Sequence, residues 1–223
     1  MQQRVVRVWD LPTRLFHWSL LAGIGALFAT GVLPGFPIQW HVNAGYFVLA
    51  LLIFRLAWGF VGGYWSRFRT FVPGARAMLA IARGRRHGVG SVGHGPLGGL
   101  AVLGLLTALF LQVVSGMAAQ GQTGYVGPLS HLLGHDLARA ATALHRGAGK
   151  WFLLALIGLH IGTVMYFLAV RKRNLIGPML HGNQPAPQEP TIQSEDGVSS
   201  RLMALSLLVL SACAVLLLVR ATG

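Results

Sequence analysis

The sequence predicts an all-α integral membrane protein, a four-helix transmembrane bundle with a fifth, C-terminal transmembrane helix. Three observations lead there: apolar runs of bilayer length, basic residues gathered on one side of those runs, and histidines placed within or at the ends of them. Hydrophobic residues make up 54% of the 223-residue chain and charged residues only 10%, and the mean hydropathy is +0.60. A water-exposed surface needs far more charge than this.

Five segments of around 20 residues are long enough to cross a bilayer: Leu15 to Leu33, Val42 to Val61, Leu97 to Ala118, Lys150 to Val170 and Leu202 to Val219. No strand-like alternation competes with them. The first run has the basic start of a signal peptide, but LFHWSLLAGIGALFATGVL is too long for an h-region, contains His17 and Trp18, and lacks a small-x-small cleavage site. It is read as a retained helix.

A formal charge of +13 invites a nucleic-acid reading, which the placement of the charge excludes. Arg4, Arg7, Arg14, Arg55, Arg67, Arg69, Arg76, Arg83, Arg85, Arg86, Arg171, Lys172, Arg173 and Arg201 share one side of the predicted spans, against Arg139, Arg146, Lys150 and Arg220 on the other. The positive-inside rule makes the first side cytoplasmic, with the N-terminus inside and the C-terminus outside. The basic, glycine-rich inner loop around RFRT and RGRRHG is read as meeting anionic lipid.

Between the spans, PGFPIQW turns helix one into helix two, and Gly62-Gly63 ends helix two. Helix three carries Gln112 and small residues and is read as structural packing. The outer phrase PLSHLLGHDLARAATALH has the apolar spacing of a short surface helix. The expected organisation is a bundle domain over residues 1–180, a polar Pro/Ser-rich linker over 181–200, and the additional helix over 201–223, which is read as dispensable for cofactor binding.

The histidines carry the chemistry. His17 lies near the inner start of helix one, His41 opens helix two at the outer surface, and the segment HRGAGKWFLLALIGLH places His145 and His160 fifteen residues apart. On one continuous α-helix that is roughly 22 Å of rise and a net rotation of about 60°, so both rings share a side. Two levels result, His17 with His160 on the inner side and His41 with His145 on the outer. A single membrane histidine is ordinarily a hydrogen-bonding group, but an intramembrane ionisable side chain needs a partner. Two matched pairs are what two b-type haems require, an axial nitrogen on each face of each iron. Zinc would want three or four close ligands, with Cys or carboxylate among them, and Cys213 is the chain's single cysteine, which also excludes C-x-x-C-H haem attachment.

Gly45 and Gly149 each follow an outer histidine by four residues and are read as clearing its face for a flat macrocycle. Arg55, about 21 Å below His41 along helix two, either snorkels to headgroups or pairs with a haem propionate, with Arg14 assisting from one turn before His17. His94, His131, His135, His87 and His181 are read as solvated loop residues, His94 being the one nearest the bundle.

In order along the chain, VWDLPTRLFHW, RLAWGFVGG with RFRTFV, GHGPLGGL and HRGAGKWFLLALIGLH resemble the recurring phrases of the bacterial cytochrome b561 family, which includes the b-type cytochrome subunits of nickel-iron hydrogenases. The resemblance covers about residues 5–180. It implies a four-helix bundle with two non-covalent haems b held on helices one, two and four by His17, His41, His145 and His160. It also implies electron transfer in the bacterial inner membrane between the quinone pool and a periplasmic redox partner, such as a c-type cytochrome or an oxidoreductase subunit. Six-coordinate irons argue against oxygen activation. The competing readings are a superoxide:quinone oxidoreductase, with Arg146 and Lys150 steering the anion at the outer face, and a non-redox transporter or anchor.

Overall fold

The computed structural model describes residues 5–83, 92–121, 125–185 and 192–222; Arg4, Arg85, Arg86 and His87 lie outside them. Along the chain come a short strand β1 (Val5–Arg7) and the helices α1 (Leu11–Val32), α2 (Ile38–Val61), α3 (Phe68–Phe71), α4 (Ala75–Ala82), α5 (Pro96–Met117), α6 (His135–Arg146), α7 (Ala148–Ala169) and α8 (Ile176–His181). A second strand β2 (Asn183–Pro185) and the helix α9 (Val198–Thr222) complete the order. Among the described residues five stretches are long and apolar enough to cross a membrane: α1, α2, α5, the run His135–Ala169 formed by α6 and α7, and α9. The spans begin earlier than the hydropathy runs suggested because polar residues supply the first turn. Asp10 accepts from the N–H of Thr13 at 2.8 Å, the bond of a helix N-cap.

His145 and His160 do not share one continuous helix. Gly147 has φ −108° and ψ −112°, outside the helical region, and separates α6 from α7, so the rotation of about 60° between the two rings does not apply. Glycine is the residue that tolerates such a break.

The chain divides into two compact units. The first comprises residues 1–16, 55–104 and 158–207, the second residues 17–54, 105–157 and 208–223. Within the first, β1 pairs antiparallel with β2, with Val6 opposite Gln184, and on the chain's other side Ser194 donates its N–H to Arg7 O at 2.9 Å and its hydroxyl to Val8 O. This sheet is absent from the sequence reading, because three-residue strands carry no periodicity to detect. It also changes the meaning of residues 181–200, whose described ends are fastened to the N-terminal segment. Asp196, with a side chain 3% exposed, bonds Arg7 at 2.6 Å and Arg201 at 3.2 Å and accepts the N–H of Leu11 at 3.2 Å. Burial alone would push the Asp196 carboxyl up, but these hydrogen bonds and the Arg201 and Arg7 charges hold it below the ordinary value of 3.8.

In the second unit α1 and α2 pack closely at Gly23, where a Cβ would come within 2.8 Å of Val48. The loop after α5 is tied down by Gly127 N–H to Ala119 O and Leu129 N–H to Met117 O, at 2.8 and 2.9 Å, and by Gln120 N–H to the Thr142 hydroxyl at 2.9 Å. α9 buries Ser200 and Ala204 in its first half, and Ser211 and Val215 in its second, a stripe of small residues suited to close helix packing.

Candidate functional site

Within the second unit the structure brings together two of the four expected histidines. His41 on α2 and His145 at the end of α6 have ring centroids 6.1 Å apart with planes at 81°. Each is held the same way. His41 Nδ1 lies 3.1 Å from Leu27 O on α1, and His145 Nδ1 lies 2.8 Å from Gln112 O on α5. A carbonyl can only accept, so both rings carry their proton on Nδ1 and leave Nε2 as the free lone pair.

Two glycines that the sequence reading did not single out make these placements possible. A Cβ at Gly31 would lie 2.9 Å from the His41 ring, and one at Gly116 would lie 2.6 Å from the His145 ring. Any side chain at either position would drive the imidazole away. Of the two glycines that were expected to clear space, Gly45 does face open space, with nothing within 4 Å of its would-be Cβ. Gly149 does not. Its Cβ position is taken by Gln112 Oε1 and Leu144 O, each at 2.7 Å, so protein atoms, not a free face, explain the glycine.

His17 belongs to the second unit and packs edge-on to Trp18, ring centroids 5.2 Å apart; His160, half-buried on α7, belongs to the first. Also in the first unit, Arg55 is 4% exposed and so enclosed by protein atoms. Its Nη2 donates to Ser66 O at 3.1 Å, its Cζ lies 5.2 Å and 5.8 Å from the ring centres of Phe68 and Phe71, and Nη1 is buried with no hydrogen-bond acceptor. Arg14 donates Nη1 to Leu180 O, fastening α1 to the end of α8.

The acid of this unit is Asp10, 0% exposed. Besides Thr13 N–H it accepts from Ser66 Oγ at 2.9 Å, Gly63 N–H at 3.2 Å and Trp58 Nε1 at 3.3 Å. Gly63 must be glycine, because a Cβ there would sit 2.3 Å from Asp10 Oδ2. The sequence held a signal for Asp10, one of five acidic residues in the chain and followed by a proline two positions on, the pattern of a helix start. His94 is not simply solvated: it lies 4.6 Å from the Trp9 ring and 5.3 Å from the Phe71 ring. His181 Nδ1 accepts from Asn183 N–H, while His131 and His135 are exposed as expected. Of the second unit's cations, Arg139 is paired with Asp136 at 2.6 Å and Lys150 lies over the Trp151 ring.

Among the described residues no group of three or more His, Cys, Asp or Glu side chains gathers as a metal cluster would; the arrangement offers pairs. The profile described as prokaryotic cytochrome b561 matches residues 8–182. The chain is similar to proteins named "Probable Ni/Fe-hydrogenase B-type cytochrome subunit" from Azotobacter vinelandii, at 26% identity over 81% of this chain and 89% of that one, and from Azotobacter chroococcum mcd 1, at 25% over the same shares. A relative of the same description from Bradyrhizobium diazoefficiens is 24% identical over 80% of this chain and 85% of its own.

Proposed function

Since the chain belongs to the prokaryotic cytochrome b561 family, and is thus a multi-pass membrane cytochrome of the b type that transfers electrons, we propose that it holds two haems b and passes electrons between the quinone pool and a redox partner outside the cytoplasm. His41 and His145 would hold the iron of the outer haem. The observation that carries the reading is their pairing. Two metal–nitrogen bonds of about 2 Å and two half-rings of roughly 1 Å put the imidazole centres of a bis-histidine site about 6 Å apart, and 6.1 Å is found. The Nδ1–H bonds to Leu27 O and Gln112 O are the second contact a metal-bound histidine needs, fixing its tautomer and raising its basicity. Haem b, when bound, supplies a reversible one-electron couple. The chain's own part is to present Nε2, to keep the ring planes apart and to exclude other ligands.

The inner haem is assigned to His17 and His160 on their sequence depths. Arg55 Nη1, buried and without an acceptor, is the donor proposed for its propionate, since an unpaired buried charge is costly on either side. Arg14, already engaged with Leu180, assists from the same helix as His17. The described basic residues assigned to the cytoplasmic side all fall in the first unit, and Arg139, Arg146, Lys150 and Arg220 in the second, which supports an inner-membrane orientation with the N-terminus cytoplasmic and the C-terminus periplasmic. The names of the relatives favour an oxidoreductase subunit such as a hydrogenase as partner. Purified protein should show a reduced-minus-oxidised spectrum of b type, about two haems per chain by pyridine haemochrome, and no haem stain on a denaturing gel. One haem per chain, or covalent haem, would overturn the assignment.

A further inference from the structure

We infer that Gln112 is a positioning residue for the outer haem's ligand, acting through His145 with both its main chain and its side chain. The inference rests on the ligand role proposed for His145. The break at Gly147 interrupts the ladder in which α6 carbonyls would find donors, leaving the last turn to be satisfied from elsewhere. Gln112 supplies that donor: its Nε2 bonds His145 O at 2.8 Å. The same residue's carbonyl takes the His145 Nδ1 proton at 2.8 Å, and Ser115 Oγ shares that carbonyl at 2.9 Å.

One residue of α5 thus grips the ligand at its backbone and at its ring, removing the freedom of the imidazole to turn about its side-chain bonds. Gly149 is part of the device. A methyl group there would lie 2.7 Å from Gln112 Oε1, so the amide reaches His145 O because position 149 has no side chain. Gly116, whose missing side chain leaves room for the Cε1 and Nδ1 edge of the ring, completes the slot. An amide in the middle of an apolar helix is an expense unless it is bonded, and here its bond is to the ligand's own peptide.

Two variants weaken the grip by different routes: Gln112→Leu removes the amide, and Gly149→Ala crowds it, together with the Leu144 carbonyl beside the ligand. Both should move the low-spin ferric EPR signal of one haem and leave the other's unchanged, because that signal reads the imidazole planes. A slacker Nδ1–H bond makes the ligand less basic, so one of the two midpoint potentials should rise. Release of that haem to an apo-haem acceptor should quicken by about 10- to 100-fold, the range for loss of such supporting bonds. Should Gln112→Leu fail to assemble, Gln112→Met, which keeps the length of the side chain and loses its donor, takes its place in the test. His145→Ala run alongside separates the two levels of the argument. If it keeps both haems, the ligand assignment falls. If it loses one haem while the two variants leave both EPR signals, both potentials and the release rate as in the parent protein, the positioning role of Gln112 is overturned.

Discussion

In the second unit, His41 and His145 each give one ring nitrogen to a main-chain carbonyl and keep the other free. In the first, Asp10 is ringed by four donors that use both of its oxygens, and its acceptor capacity is spent inside the fold. Glycines serve both regions, at Gly31 and Gly116 beside the rings and at Gly63 beside the carboxylate. The difference lies in what is left over. A half-satisfied imidazole is a ligand in waiting, whereas a fully satisfied carboxylate is a fastening; among the described residues, a free valence of the first unit is Nη1 of the cation Arg55. A buried polar residue therefore declares its role by its unused bonds more than by its type.

The largest expected effect breaks the comparison at its functional end. His41→Ala and His145→Ala should each reduce the haem content from about two per chain to about one, and both should lose the same haem, as judged by redox titration. His17→Ala and His160→Ala should lose the other. A single class of titration curve across the four variants would contradict the pairing.

Asp10→Ala comes next, since it strands four donors and leaves the nearby Arg55 charge without its acid. Removing one partner of a buried charged network costs about 3–5 kcal/mol, so the variant should unfold at markedly lower temperature in detergent. A loss under about 1 kcal/mol would mean that Asp10 is no fastening. Arg55→Gln is subtler: with a propionate uncompensated, the ferric form gains and one midpoint potential should fall by tens of millivolts, on a scale of about 59 mV per tenfold change. Unchanged potentials with both haems bound would detach Arg55 from the haem.

The smallest effect concerns Asp196. Its carboxyl is held below its ordinary value, so its contribution is fully present above pH 4 and lost as pH falls through the depressed value. Arg7 and Arg201 are both substantially exposed, which limits the contribution to roughly 1 kcal/mol. The stability gap between the parent protein and Asp196→Asn should be flat from pH 8 to pH 5 and close below that. A gap that changes between pH 7 and pH 5 would point to another group.

The five spans were legible because apolar runs of bilayer length leave little choice, and the four histidines stood out because ionisable groups are rare inside such runs. What the sequence could not show was local. Gly147 looks like any of 30 glycines until its backbone angles are seen, and the helix reading of HRGAGKW runs straight through it. Gln112 read as packing because its partners come from a segment 33 residues away. Gly31 and Gly116 matter only through the ring opposite each, which no spacing rule within their own helices reveals. The β1–β2 pair joins the two ends of the matched region, too short in each strand to leave a pattern.

That pairing has a consequence for how the protein is made. The carboxylate that receives Arg7 follows it 189 positions later in the chain. Contacts so distant in sequence close late, after α1, α2, α5 and α7 have all been synthesised. β1 therefore waits for β2 and Asp196 until four of the five long apolar stretches have been made, so the fastening of this unit comes late and depends on a segment that precedes α9 directly.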